Sequence, residues 1–286
     1  MELSVLEFLA APFVASLILT GIHAYLGVHV VERGVIFVDL SLAQIAALGA
    51  TIALLLPFSG GDVHAPSVYW VSLLFTFIGA LIFSLIRVKG ARIPQEAFIG
   101  ISYAVASAAA ILAMSKATSE SEHLKDMLVG NILAVSWAEV GKTAVLYGAI
   151  GLFHFVFRKQ FLTLSRNHHD PESTGLNYRL WDFLFYASFG FVVTSSVSIA
   201  GVLLVFCYLI VPSVAAMLYA ENIGPRLAIG WTMGTVVSAI GVYASLQLDL
   251  PTGATIVCTF GVALIIMALV RPVIQRSQRP TVHAMS

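Results

Sequence analysis

Charge is scarce in this chain. Only 10% of its 286 residues are Asp, Glu, Lys or Arg, where a soluble domain carries roughly 25%. That shortage excludes an ordinary soluble globular surface, and with it the usual relation between length and domain number. Cysteine is nearly absent as well. Cys207 and Cys258 sit in apolar stretches without metal-ligand spacing, which excludes a disulfide framework, and both read as small core residues. Common catalytic signatures are missing: no HExxH, GxSxG or CxxC occurs. Gly141-Lys142-Thr143 looks like the tail of a phosphate-binding loop, but the position that needs the loop's first glycine holds Ser136, and no strand precedes it. There is no repeat of 20–50 residues and no low-complexity segment. Basic and acidic residues number 15 each, so the net charge is zero and no nucleic-acid partner is expected.

What the chain has in quantity is apolar sequence. Hydrophobic residues make up 59%, with a mean hydropathy of +0.93. They form the runs Phe8–Val31, Val35–Pro57, Val68–Ile86, Ala97–Met114, Ala144–Phe157, Phe183–Ala220, Leu227–Leu246 and Gly253–Val270. A spanning helix needs ~20 mostly apolar residues, because hydrocarbon offers a backbone amide no partner. Phe183–Ala220 is long enough for two spans. The expectation is an all-α polytopic membrane protein of eight or nine transmembrane helices in one domain over residues 1–286. Met127–Val135 is too short to span and reads as re-entrant.

The few charges are unevenly distributed. Arg87, Lys89 and Arg92 form one basic connection; Arg158, Lys159, Arg166 and Arg179 another; Arg226 stands alone; Arg271, Arg276 and Arg279 lie at the end. The alternate connections carry Asp62 and His64, then Glu120, Glu122 and Asp126 against Lys125, then Asp249. Short loops rich in Lys and Arg stay cytoplasmic. Threading on that rule puts the N-terminus outside, the polar stretch 158–181 in the cytoplasm and the C-terminus inside. The N-terminus has Glu2 and Glu7 and no basic residue, unlike a cleavable signal peptide.

Local punctuation supports helix boundaries. Ser136 and Glu139 read as a capping box, and so do Ser119 and Glu122. Pro57, Pro94, Pro225, Pro251 and Pro272 fall at or near span ends, whereas Pro212 falls inside a span and should kink it. Charges at membrane depth mark a pathway or a partner. Asp39 is the strongest candidate, with a helix cap as its alternative. Glu96 follows Pro94 and is either a pathway acid or a first-turn acid favoured by the helix dipole. His23 and His29 point ~120° apart on one helix, so they cannot face one ion together, and each reads as a core histidine. His168 and His169 read as a solvated pair.

Taken in order, several segments are together specific. Near the C-terminus stand Ser198-Ile-Ala-Gly-Val-Leu-Leu-Val-Phe, Leu209-Ile-Val-Pro-Ser-Val-Ala-Ala216 and Asp249-Leu-Pro-Thr-Gly-Ala-Thr-Ile-Val257; before them come Gly130-Asn-Ile-Leu-Ala-Val-Ser136 and Asp170-Pro-Glu through Gly175. From about residue 20 to residue 270 the chain resembles the permease subunits of bacterial ABC importers for zinc, manganese and related metals. The resemblance implies a homodimer in the bacterial inner membrane, with a zinc or manganese ion as cargo. It also implies cytoplasmic ATPase subunits that hydrolyse the nucleotide, so this chain is no enzyme, and an extracytoplasmic metal-binding protein that delivers the ion. It further implies a coupling region at 215–230, in which Pro212 kinks a helix and Glu221, Gly224, Pro225 and Arg226 form a cytoplasmic turn. The family's second helix shows an Asp and, four residues later, a His. Here Asp39 is followed by Ala43, and the nearest polar group is Gln44, ~140° around a regular helix. A π-bulge would bring Gln44 to the histidine's place, and His23 or His29 could supply the nitrogen instead. The alternative class is an ion-gradient-driven carrier of a small cation, which needs several intramembrane acids near broken helices; Asp39, Glu96 and Glu139 are what this chain offers.

Overall fold

The computed structural model describes residues 3–57, 65–87, 93–115 and 132–277. Every regular element among them is helical. Ten α-helices follow in order: α1 (Leu3–Arg33), α2 (Val38–Leu55), α3 (Pro66–Ile86), α4 (Gln95–Met114), α5 (Trp137–Val156), α6 (Arg158–Arg166), α7 (Tyr178–Ala200), α8 (Val202–Tyr219), α9 (Ile223–Leu248) and α10 (Thr252–Ser277). Eight are long and apolar enough to cross a membrane, and α5 with α6, bent by 74° at their junction, makes a ninth candidate. The expected count of eight or nine holds. Asp62, His64, Lys89, Arg92, Glu120, Lys125, Asp126, Arg279, the Ser119–Glu122 box and most of Met127–Val135 lie outside the described residues. Of that last segment, Ile132–Ala134 forms a 3-10 turn.

The boundaries have local causes. α1 ends in a Schellman motif. Gly34 is left-handed at φ 65°, its N–H donates to Val31 O, and the Val35 N–H donates to Val30 O. Val30 and Val35 are both fully buried beside the motif. The long run Phe183–Ala220 does split in two, and the joint is one residue. Gly201 has φ 76° and ψ 160°, a region open essentially to glycine alone. It ends α7 through a bond to Val197 O and starts α8 by accepting from the Val205 N–H. Ser136 and Glu139 form the expected capping box: the Ser136 N–H donates to Glu139 Oε2 at 2.8 Å, and the Glu139 N–H donates to Ser136 Oγ at 3.2 Å. Asp249 ends α9 in a left-handed conformation, and the Ser245 hydroxyl bonds both Leu250 O and Thr252 Oγ1 at 2.6 Å. The Asp249–Thr252 segment is thus a tight helix-to-helix turn.

Three expectations change. The polar stretch 158–181 is not one loop. Its first part is the amphipathic helix α6, which buries Phe161, Leu164 and Ser165 and turns Arg158, Lys159 and Arg166 outward. Its nine residues, three of them apolar, make too few turns for the pattern to read as a helix. Gly224 and Pro225 do not form the turn after α8. The turn is Ala220–Asn222, and both residues lie in the first turn of α9, where proline's missing N–H costs nothing. Of the cysteines only Cys207 is core; Cys258 is exposed on α10.

Packing places α1, α7 and α8 at the centre. α2 lies against α3 and α4, α3 against α7, and α1 against α8 and α9, with α10 on the far side of α8 and α9. The core joins Leu19, Leu26, Leu42, Phe83, Phe185, Phe189, Tyr208 and Phe260. α1 and α8 approach so closely at Gly27 that an added Cβ would lie 1.9 Å from Leu209 O and 2.3 Å from Ser213 Oγ. α4 and α10 turn large apolar side chains outward, among them Leu112, Ile265 and Leu269.

Candidate translocation site and the arginine end

Asp39 lies in the first turn of α2 and is 1% exposed. It does not cap its helix: the N-cap is Phe37, whose own side chain makes no capping bond. Neither carboxylate oxygen of Asp39 has a hydrogen-bond partner within the described chain. A buried carboxylate is costly unless a donor or cation meets it. The cap comes instead from a neighbouring helix. Glu96, in the first turn of α4, accepts the Phe37 N–H on Oε1 at 2.9 Å. It is a cap supplied across two helices, and it holds α4 to the start of α2.

α2 is regular from Val38 to Leu55, with no π turn. Gln44, half-buried, therefore stays ~140° from Asp39. The position one turn beyond Asp39 belongs to Ala43, 1% exposed. His23 makes no bond to Asp39 either. Its Nδ1 donates to Leu19 O at 2.8 Å and its Nε2 lies 3.2 Å from Ser196 Oγ, so both ring nitrogens are engaged. His29 Nδ1 lies 2.8 Å from Ser165 Oγ, while its buried Nε2 has no partner. No group of three or more His, Cys, Asp or Glu side chains among the described residues could hold a metal ion within one chain.

The other concentration of charge sits where α1, α3, α6 and α7 end or begin. Asp182 is fully buried and takes two guanidinium groups. Arg33 Nη1 donates to Oδ1 at 2.8 Å; Arg87 Nη1 donates to Oδ1 at 2.8 Å and to Oδ2 at 2.6 Å. Arg33 Nε also donates to Ser165 Oγ at 2.9 Å, and its guanidinium lies 4.0 Å over the Phe185 ring. Arg87 Nη2 donates to His168 O at 3.0 Å. Arg87, expected in an exposed basic loop, is 5% exposed. His168 is not solvated as expected either. Burial, and next the Arg87 charge, push its pKa down to about 4, so its ring is neutral at neutral pH. Arg33 and Asp182 carry a faint sequence signal: each stands just outside a long apolar run, where a charge normally meets water.

Arg226 lies in the first turn of α9. It donates from Nη1 to Glu32 Oε1 of α1 and from Nε to Ala220 O at 2.9 Å. The α8–α9 turn is thereby tied to the last turn of α1. Pro212 is buried within α8, and Glu221, Gly224 and Pro225 are exposed.

Spans of this number and length define a multi-pass membrane protein. The chain belongs to the ABC 3 transport family, whose model matches residues 5–271. It is 29% identical over 203 residues to the manganese transport system membrane protein MntC of Listeria innocua, covering 68% of this chain and 72% of that one. It is 27% identical over 224 residues to the manganese import system permease protein ScaB of Streptococcus parasanguinis, covering 73% and 76%. A probable iron transport system membrane protein of Haemophilus influenzae is 23% identical over 253 residues, covering 88% and 86%. The fold matches the solved structure of PsaBC from Streptococcus pneumoniae in complex with Fab, with a TM-score of 0.76 at 22% identity over 92% of this chain and 93% of that one.

Proposed function

We propose that this chain is the transmembrane permease subunit of an ABC importer for a divalent metal ion, and that two copies enclose the pathway with Asp39 from each facing the ion. The carrying observation is the buried Asp39 carboxylate without a partner in its own chain. A divalent cation between two such carboxylates would supply the missing charge. Manganese fits better than zinc. With Ala43 where the family's histidine falls, the donors on offer near the start of α2 are oxygens, and oxygen ligands suit manganese whereas imidazole suits zinc. The relatives named for manganese support the same choice. Glu96 and Glu139 are both engaged as helix caps, which weakens the case for an acid relay and so for a gradient-driven carrier. ATP hydrolysis belongs to separate cytoplasmic subunits, and a binding protein outside the membrane hands over the ion. The N-terminus is outside and the C-terminus in the cytoplasm, which puts the arginine end inside.

Asp39→Asn is expected to lower manganese uptake at least about tenfold, equivalent to ~1.4 kcal/mol, at matched expression and unchanged melting temperature. Near-normal uptake by the mutant would sink the site assignment.

Coupling to the ATPase would run through the turn Ala220–Asn222 and the first turn of α9, clamped to α1 by Arg226 and Glu32. Arg226→Ala should reduce metal-stimulated ATP hydrolysis in proteoliposomes of the whole complex while the delivery protein still docks. Loss of docking with hydrolysis intact would mean that the orientation is inverted.

A further inference from the structure

A groove with a cavity of ≈ 550 Å³ runs between α1, α5 and α9 and ends at Arg158, the first residue of α6. Its lining is almost wholly apolar. Glycine makes the room: Gly21 of α1 and Gly148 and Gly151 of α5 line it, and an added Cβ at any of them would meet nothing within 4 Å. Gly148 and Gly151 are three residues apart, so both open the same face of α5. Trp231 of α9 forms the opposite wall, braced by a 3.0 Å bond from its Nε1 to Gly21 O. The groove is open to the side, since Phe155 is 62% exposed and Trp231 45%.

Two features identify what fits. From Ala144 to Phe155 along α5 the groove extends ~17 Å at 1.5 Å per residue, close to the ~15 Å of hydrocarbon in one leaflet, and Arg158 lies just past the bend into α6. At its end Arg158 is exposed, rests 4.6 Å over the Phe155 ring, and is paired with no carboxylate among the described residues; Lys159 stands beside it, also exposed. A long apolar slot opening on the bilayer and closing on an unpaired cation complements one kind of molecule: an amphiphile with an acyl chain and an anionic head. Basic pockets between membrane helices hold anionic lipid headgroups by this arrangement. We propose that the groove is a binding site for an anionic membrane phospholipid, its acyl chain along Gly148 and Gly151 and its phosphate against Arg158. Ile223, which starts α9 directly after the Ala220–Asn222 turn, also lines the groove, so the bound lipid packs beside that turn.

Trp231 can report occupancy. The chain has four tryptophans; replacing Trp70, Trp137 and Trp181 with phenylalanine leaves Trp231 as the sole emitter. The full chain is placed in phosphatidylcholine vesicles doped with equal fractions of phosphatidylglycerol or phosphatidylcholine brominated in the acyl chains. Brominated phosphatidylglycerol should quench Trp231 with about fivefold higher apparent affinity, the preference expected of one basic residue near an anionic surface. Arg158→Gln should remove that preference while some quenching by either lipid remains. Gly151→Phe, whose ring fills the slot, should remove the specific quenching. Equal quenching by both lipids in the parent, or unchanged quenching in Gly151→Phe, overturns the proposal. So does protection from both lipids, which would mean that a second copy covers the groove. Should the tryptophan-depleted chain fail to fold, native mass spectrometry on the unmodified full chain decides. Phosphatidylglycerol adducts that outlast phosphatidylcholine adducts support the site, and equal loss of the two overturns it.

Discussion

Asp182→Ala is expected to leave little folded protein in the membrane. The substitution removes the one anion between two buried guanidinium groups, and Arg33 and Arg87 would then face each other without compensation. Removing one partner from a buried ion pair costs about 3–5 kcal/mol, because the remaining charge is stranded in low dielectric; here two charges are stranded. That is a large part of the 5–15 kcal/mol by which a typical protein is stable. Arg87→Gln should be milder, since Arg33 still neutralises Asp182. Fluorescence-detected size exclusion of the solubilised protein reads the difference directly: a collapsed monodisperse peak for Asp182→Ala and a retained but lower one for Arg87→Gln. An unchanged peak for Asp182→Ala would mean that the cluster contributes little to stability.

Gly27→Ala should be nearly as damaging, for a steric reason. The new Cβ would sit 1.9 Å from the backbone oxygen of Leu209, short of an ordinary contact by roughly 1.5 Å. Backbone cannot swing aside like a flexible side chain, so α1 and α8 must separate. That separation would also break the 3.2 Å bond from the Ser213 hydroxyl to Ala24 O. A cost of about 3 kcal/mol or more follows for overpacking of this severity. Gly100→Ala makes the control, because its Cβ would meet nothing within 4 Å. A melting temperature that falls steeply for the first and stays put for the second is the expected result; equal melting temperatures would show that the two helices can re-pack.

Much of the architecture was legible in the sequence because bilayer thickness sets the length of every span. The apolar runs, the division of Phe183–Ala220 and the Ser136–Glu139 box depend on neighbours in the sequence, and each appears as expected. The Asp182 cluster depends on residues 95 and 149 positions apart, and no local pattern announces such a meeting. Arg87 looked like loop charge because its partner is on another helix. The same holds at the candidate site. Asp39 stands out as a buried acid in a span, yet Glu96 resembled a first-turn acid of its own helix and proves to cap the adjacent one. His23 is buried with both ring nitrogens hydrogen-bonded, to partners on its own helix and on α7. α6 is hard to read in the sequence because nine residues, mostly polar, make too few turns to reveal an apolar stripe.

The arginine cluster also bears on how the chain is made. Arg33 leaves the ribosome 149 residues before Asp182, and Arg87 leaves it 95 residues before. At about 5–20 residues per second the two cations wait roughly 5–30 seconds for their counter-ion. During that interval neither arginine can settle in its final buried place, so both must remain at the water interface, and α1 and α3 with them stay loosely assembled. Closure of the bundle is thereby deferred until α7 has been synthesised. A nascent chain stalled before that helix would display two uncompensated guanidinium groups at the membrane edge, a mark by which quality control could distinguish an unfinished permease from a finished one.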